Sequence, residues 1–296
     1  MFRSKYFIIV MLMCLLCSCN KQEIFNPSRY ILTEMKQEGS NMLLTKEFHY
    51  SGKKLVSAYL TQEKITLTFE YNSDKTIKKI TSSDGDYALL EYADKRITKI
   101  QYYEKGILTH ENIFYRRDKK NTINKIETYT YNGFSSEGSL LKMLFPESKS
   151  VPETLKNKHK NAGRLLYAVR NITCENDNIQ RVRLYYVIDG KQVEFYATTY
   201  SYDKNKNPYY GLPFAFADLS GYSKNNVSSS VLSYEYGKDK EDKKIVTIEN
   251  SYTYEKKYPT YNTTAEYTTY ITGYDEFENP IFTTNTKNKA MQYTYK

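Results

Sequence analysis

A unit repeated four times constrains this chain more than any other feature: an aromatic residue ends a strand, a polar turn follows, and an aliphatic residue opens the return. The turns read Tyr50-Ser-Gly-Lys-Lys-Leu55, Tyr71-Asn-Ser-Asp-Lys-Thr-Ile77, Tyr92-Ala-Asp-Lys-Arg-Ile97 and Tyr115-Arg-Arg-Asp-Lys-Lys-Asn-Thr-Ile123. Three continue alike, as Ile77-Lys-Lys-Ile80, Ile97-Thr-Lys-Ile100 and Ile123-Asn-Lys-Ile126. A fixed period of roughly twenty residues marks a repeat array, in which each unit buries its apolar face against the next. Gly52, Asn72, Asp74 and Asp94 tolerate the backbone angles that such turns need. The unit predicts successive hairpins, with Tyr71, Tyr92 and Tyr115 at equivalent hairpin ends.

The strands alternate with period two. Ile65, Leu67, Phe69 and Tyr71 share one face, and Thr66, Thr68 and Glu70 the other. Further on, Val246, Ile248, Asn250, Tyr252 and Tyr254 lie opposite Ile245, Thr247, Glu249, Ser251 and Thr253. This is the pattern of antiparallel sheet with a drier and a wetter face. Composition agrees: 32 Tyr and 13 Phe accompany abundant Thr, Ile and Val, residues that suit a pleated, half-buried surface. The expected fold is all-β, an elongated antiparallel sheet of successive hairpins, open or partly closed and barrel-like. It forms one β domain over residues 30–296, with the hairpin repeats at about 45–131. Two irregular excursions interrupt it. The first, about 135–168, carries the apolar run Leu140 to Phe145 and the breakers Pro146 and Pro152; the second, about 203–230, carries Asn207-Pro208-Tyr209-Tyr210-Gly211 and Lys224-Asn225-Asn226-Val227.

The N-terminus reads as an address. Arg3 and Lys5 precede an apolar run from Tyr6 to Leu16, and Leu16-Cys17-Ser18-Cys19 closes it. The run falls short of the roughly 20 residues needed to cross a bilayer. This layout predicts a lipoprotein signal at residues 1–18, lipidation of Cys19, and a tether over 19–29. The expected location is the cell envelope, anchored in the membrane through the lipid on Cys19. Of the remaining cysteines only Cys174 lies outside the signal, so no disulfide framework is expected, and Cys174 reads as a small core residue.

The formal charge of +9 does not point to nucleic acid, because Lys alternates with Asp and Glu in runs such as 238–244, the pattern of a solvated hairpin tip. His49, His110 and His159 are far apart in sequence and belong to no metal motif, and nothing signals a cofactor. Ser51 and Lys54 satisfy a Ser-x-x-Lys spacing but fall on a repeat turn, and Asp84-Gly85-Asp86 reads as a hairpin tip rather than a cation loop. Sequons at Asn171, Asn226 and Asn262 carry no weight in a bacterial lipoprotein. No catalytic residue is therefore assigned.

Tyrosine is the only chemistry in abundance, with a flat apolar face for stacking and a hydroxyl for hydrogen bonding. Most tyrosines sit at alternating strand positions, where cross-strand packing accounts for them. Tyr209, Tyr210 and Tyr222 have no periodic role and fall in the second excursion, where binding residues concentrate. With Asn225 and Asn226 beside them, they are the candidate ligand contacts. The competing possibility is that Pro208, Leu212, Pro213, Phe214 and Phe216 make this stretch a plug, with the tyrosines buried in it.

The Tyr-turn-Ile-x-Lys-Ile units resemble the tyrosine-rich hairpin repeats of secreted bacterial YD-type proteins. Tyr202-Asp203 leading to Asn207-Pro208, Asn225-Asn226-Val227, and Tyr252-Thr-Tyr254 leading to Tyr258-Pro259-Thr260 resemble a family of Bacteroides-type surface lipoproteins with a porin-like fold. The resemblance implies a β fold and an envelope address, and transfers no activity. The expected function is a non-catalytic envelope module that binds a glycan polymer or another envelope protein. Two alternatives differ in class: an enzyme acting on an extracellular polymer through carboxylates such as Glu235 and Glu249, or a membrane-embedded barrel.

Overall fold

Hairpin follows hairpin for the length of the computed structural model, which describes residues 31–37, 43–61, 63–116, 122–131, 140, 163–210, 222–236 and 242–296. The strands are β1 (Leu32–Gln37), β2 (Leu43–Ser51), β3 (Lys54–Leu60), β4 (Ile65–Tyr71), β5 (Ile77–Ser82), β6 (Tyr87–Ala93), β7 (Arg96–Glu104) and β8 (Ile107–Arg116). They continue as β9 (Ile123–Thr130), β10 (Leu165–Glu175), β11 (Asn178–Ile188), β12 (Lys191–Lys206), β13 (Asn225–Tyr236), β14 (Asp242–Glu255), β15 (Tyr258–Tyr274) and β16 (Pro280–Tyr295). Each pairs antiparallel with the next, and β1 pairs with β16, so the sheet closes into a barrel. Cys19 and its tether lie outside the described residues.

Antiparallel order gives the barrel two ends. The terminal end carries Ile31 and Lys296, which exchange backbone hydrogen bonds, with the turns after every even strand. The far end carries the turns after every odd strand. Several turns are the two-residue left-handed kind whose twist matches that of the strands. Lys105-Gly106 and Asp189-Gly190 follow the usual chemistry, whereas Lys256-Lys257, with φ of 48° and 75°, places two lysines where Asn-Gly is preferred.

The aromatic hairpin ends have a common geometry at the terminal end. A register break falls at Tyr50, Tyr71 and Tyr92, which sit opposite Leu55, Ile77 and Ile97, and all three pack on the core. Tyr115 departs from the expected equivalence. Its turn is longer, so the break comes one residue later and Arg116 takes the place opposite Ile123. Tyr115 turns outward and donates to Glu127. The role of the end residue is to reach back to the start of the preceding strand: the Tyr71 hydroxyl donates to the Leu55 carbonyl at 2.6 Å, and Arg116 donates to the Ile97 carbonyl at 3.1 Å. The stitch recurs in the second half of the chain, from Tyr202 to Ile179, Tyr252 to Val227 and Tyr295 to Pro259. Each bond reaches a carbonyl near the start of a strand, past the last pair of that strand with the one carrying the donor.

Two clusters of buried side chains pack the interior. Inward residues of β1–β9, including Leu55, Leu60, Leu67, Ile80, Ile100 and Ile126, form one apolar cluster. Leu140, from the first excursion, is 2% exposed and belongs to that cluster. A second, aromatic cluster joins Tyr167, Tyr186, Phe195 and Tyr196 on β10–β12. The outward face is charged instead, with Glu47, His49, Glu70, Glu91, Lys99 and Arg181 among its residues.

Strands occupy the margins of both excursions. β10 begins at Leu165, β12 runs to Lys206 and β13 starts at Asn225. Turn-forming residues there are absorbed by an irregular ladder: pairing skips from Tyr202↔Val227 to Lys206↔Asn225, and Asp203 caps the Asn205 amide across the gap.

Candidate functional site

The second excursion connects β12 to β13 and so lies at the terminal end, the end of the barrel to which all five candidate residues belong. Tyr209 and Tyr222 are half-buried and pack on the main apolar cluster. The Tyr209 hydroxyl donates to the Met35 sulfur, and its amide donates to Asn207 Oδ1. Tyr210 alone among the three sits at the surface, 36% exposed. Asn225 is engaged twice with Asn178, at 3.0 Å each way, and also donates to the Asn205 carbonyl. Asn226 is 3% exposed and donates to Asp203 Oδ2, which also accepts from Tyr254. Asn207 and Ser223 close the network, with Ser223 bonding Tyr202 and the Ile179 amide. Each polar group already holds backbone or side-chain partners, so this region acts as a cap over the barrel end. Residues 211–221, including Leu212, Phe214 and Phe216, lie outside the described residues.

The two carboxylates named for a possible enzyme are not brought together. Glu249 pairs with Ser229, and Glu235 pairs with Lys243, six positions further along β13. That is about 20 Å at strand rise, more than twice the spacing of paired glycosidase carboxylates. Among the described residues no group of three His, Cys, Asp or Glu is placed to hold a metal ion. Cys174 is half-buried, with its thiol pushed up to about 11 by burial, the reverse of a reactive cysteine.

Glu249 instead lines a depression on the outward face. A groove of about 630 Å³ crosses β14, β15 and β16. Its floor is made of small residues in cross-strand rows, Ser251 with Thr263 and Ala290 above the row Glu249, Ala265 and Asn288. Tyr267, one row on, supplies an aromatic wall. Strand spacing puts Glu249 and Asn288 about 10 Å apart across β15, with the tyrosine about 7 Å along the strand from the line between them. The arrangement offers a flat ring, a carboxylate acceptor and an amide that both donates and accepts. All three project from the wetter face of the alternating pattern, next to the small residues that open space between them. The sequence signal was faint: Thr and Ser on that face look like ordinary solvent-facing strand residues.

A denser outward cluster lies on β7–β9. Arg164 donates to Glu111 at 2.8 Å and stacks on Tyr129 at 3.7 Å, while Glu111 also accepts from Gln101 and Tyr131. Glu111 is 5% exposed despite facing outward, because Arg164 and Tyr131 lie over it. Its donors are internal, and it serves as a clamp between the first excursion's end and the sheet.

No protein-family model matches the sequence, and no curated protein matches it either. Among solved structures, the chain is similar to TcdB2-TccC3-TEV at 9% identity and a TM-score of 0.24, over 87% of this chain and 14% of that one. A Photorhabdus luminescens Tc holotoxin pore with a TccC3 mutation gives 10% identity and the same TM-score, over 79% of this chain and 13% of that one. The chain thus spans about a seventh of the length of the structures it matches, and at these scores the likeness carries nothing to its function.

Proposed function

We propose that this chain is a lipid-anchored, non-catalytic β-barrel module of the cell envelope that holds a glycan polymer in the outward groove of β14–β16. One observation carries the reading: Tyr267, Glu249 and Asn288 surround a floor of small residues in a depression of ligand size. A sugar ring stacks on tyrosine through its apolar face and presents hydroxyls at its rim, which suits a neighbouring carboxylate and amide. The groove is open rather than enclosed, which favours a polymer crossing it over a small molecule swallowed by it. Glu249 is the one carboxylate among the described residues that line it, which supports binding over hydrolysis.

The address rests on Cys19 and on the resemblance to Bacteroides-type surface lipoproteins. The charged outward face supports a barrel standing in water on its tether, since a spanning barrel carries an apolar band there.

The test is retention on a panel of immobilised envelope and host polysaccharides. Tyr267→Ala and Glu249→Gln should each lower retention about tenfold on whichever glycan the unmodified chain holds. Both side chains are on the surface, so melting temperatures should stay within a few degrees. Retention unchanged in both variants would remove the groove from consideration.

A further inference from the structure

The last hairpin outgrows the barrel. β16 pairs with β15 from Gln292 back to Pro280, but β1 covers it only from Tyr295 to Met291. On the side away from β15, residues Pro280 to Ala290 have no strand partner among the described residues. β15 likewise extends past its last recorded pair with β14, Lys244↔Tyr270. The pair Ile271↔Phe282 and the turn beyond it therefore stand as a two-stranded arm at the far end. Apolar side chains concentrate there: Tyr274 is 50% exposed, Phe277 76%, Ile281 49% and Phe282 53%. Natural proteins blunt such an edge or use it.

Charge is divided along the arm. The tip carries Asp275, Glu276 and Glu278. Asp275 is spent on the turn, accepting from the Phe277 and Asn279 amides and the Asn279 side chain. Glu276 and Glu278 are exposed and form no ion pair with any described residue. The shaft carries Lys287 and Lys289, equally exposed and equally outside any such pair. An acidic tip and a basic shaft on one edge complement each other when two copies of that edge run antiparallel.

We propose that the arm is a self-association surface, on which β16 of one copy pairs antiparallel with β16 of a second about a two-fold axis near Phe282. The register follows from geometry. A two-fold normal to the sheet keeps each face on its own side, so residues opposite one another have the same parity. Centring on Phe282 places the two phenylalanine rings together at the axis and sets Thr284 against the partner's Pro280. It carries the partner's Glu276 and Glu278 alongside Lys287 and Lys289. The ladder itself runs from Pro280 to Thr284 of each copy, and the tip turn at 275–279 lies past it along the partner's shaft, short of Met291, where β1 takes over the edge. Because like edges are consumed by each other, the assembly closes as a dimer instead of growing into a filament. A lipid surface fits the tip less well, since its carboxylates are repelled by anionic headgroups.

The test uses the full-length chain in mild detergent, followed by sedimentation velocity across a concentration series. The unmodified chain should dimerise. Reversing the shaft with Lys287→Glu and Lys289→Glu should weaken the dimer about tenfold or more, since the axis repeats each loss. Adding Glu276→Lys and Glu278→Lys to the same chain should restore it, which separates a lost contact from a damaged fold. Phe282→Cys should form a disulfide-linked dimer under oxidising conditions, because residues opposed across the axis lie within reach. Thr286→Cys alone should not. A monomeric unmodified chain overturns the proposal, as do equal cross-linking at the two positions or a charge swap that fails to restore. A monomer whose flotation with phosphatidylcholine vesicles is lost in Phe277→Ser, Phe282→Ser also overturns it, and assigns the tip to a membrane. None of these readouts depends on glycan retention.

Discussion

His110 makes the stability of this barrel sensitive to mild acid. It faces inward from β8 between Tyr102 and Thr130, is 1% exposed, and holds Thr109 Oγ1 at 3.1 Å through Nδ1. Burial pushes its pKa down from 6.5 to about 4. The sign follows directly. Above the unfolded value both states are neutral there and the group is indifferent to pH. As pH falls below it, the unfolded chain takes a proton that the folded chain refuses, and stability is lost until the folded value is passed. At about 1.4 kcal/mol per pH unit, acidification from about pH 7 to about pH 4.5 costs about 2.5 kcal/mol through this one residue. For a barrel of this size that corresponds to a fall of about 5–10 °C in melting temperature. His110→Gln keeps polarity and approximate size but cannot titrate. The assay is thermal unfolding of both chains at the two pH values, followed by circular dichroism. Carboxylates such as Glu127, held below the usual range chiefly by Lys125 and two tyrosine hydroxyls against the cost of burial, contribute equally to both chains and cancel. The unmodified chain should lose about 2.5 kcal/mol more than the variant. Parallel losses in the two chains would refute the assignment.

Leu140→Ala should cost about 2–5 kcal/mol in urea unfolding if the first excursion supplies part of the core, and well under 1 kcal/mol if it does not. Tyr209→Ala combined with Tyr222→Ala should lower stability by about 2 kcal/mol or more, since both rings pack on the apolar cluster; unchanged melting would return them to the list of free binding residues. Cys19→Ala should move the chain out of the carbonate-washed membrane fraction, because lipid on that thiol is the expected anchor. Full retention in the membrane would end that reading.

The hairpin order was legible because it is written locally. Alternation with period two sets the faces, and turn residues set the reversals, so Ile65 to Tyr71 and Val246 to Tyr254 could be placed before any contact was known. Closure was not legible in the same way. It depends on Leu32 to Gln37 meeting Met291 to Tyr295, segments more than 250 residues apart whose pairing leaves no mark on either. Tyr115 shows how a local rule fails. The motif matched, but a longer connection to Ile123 moved the register break by one position, and a one-residue slip sends a side chain to the opposite face. Arg116 then took up the inward bond, a substitution of guanidinium for phenol that composition could not announce.

The candidate residues divide for a related reason. Tyr209, Tyr222, Asn225 and Asn226 stood out because they lacked a periodic role, and irregular residues serve either to bind a ligand or to seal an end. An open barrel end exposes strand-opening carbonyls and apolar side chains that something must cover, and the nearest long connection, β12 to β13, is available to do it. Asn178, Ser223 and Asp203 consume the polar groups of that connection, leaving Tyr210 at the surface. The groove on β14–β16 escaped notice for the converse reason. Ser251, Thr263, Ala265 and Ala290 are ordinary strand residues one at a time, and only their rows across three strands make a hollow beside Tyr267. A flat sheet face becomes a binding surface through what is small as much as through what is aromatic. Ala265→Leu, which fills the floor and leaves every polar group in place, should therefore impair glycan retention as strongly as loss of the ring.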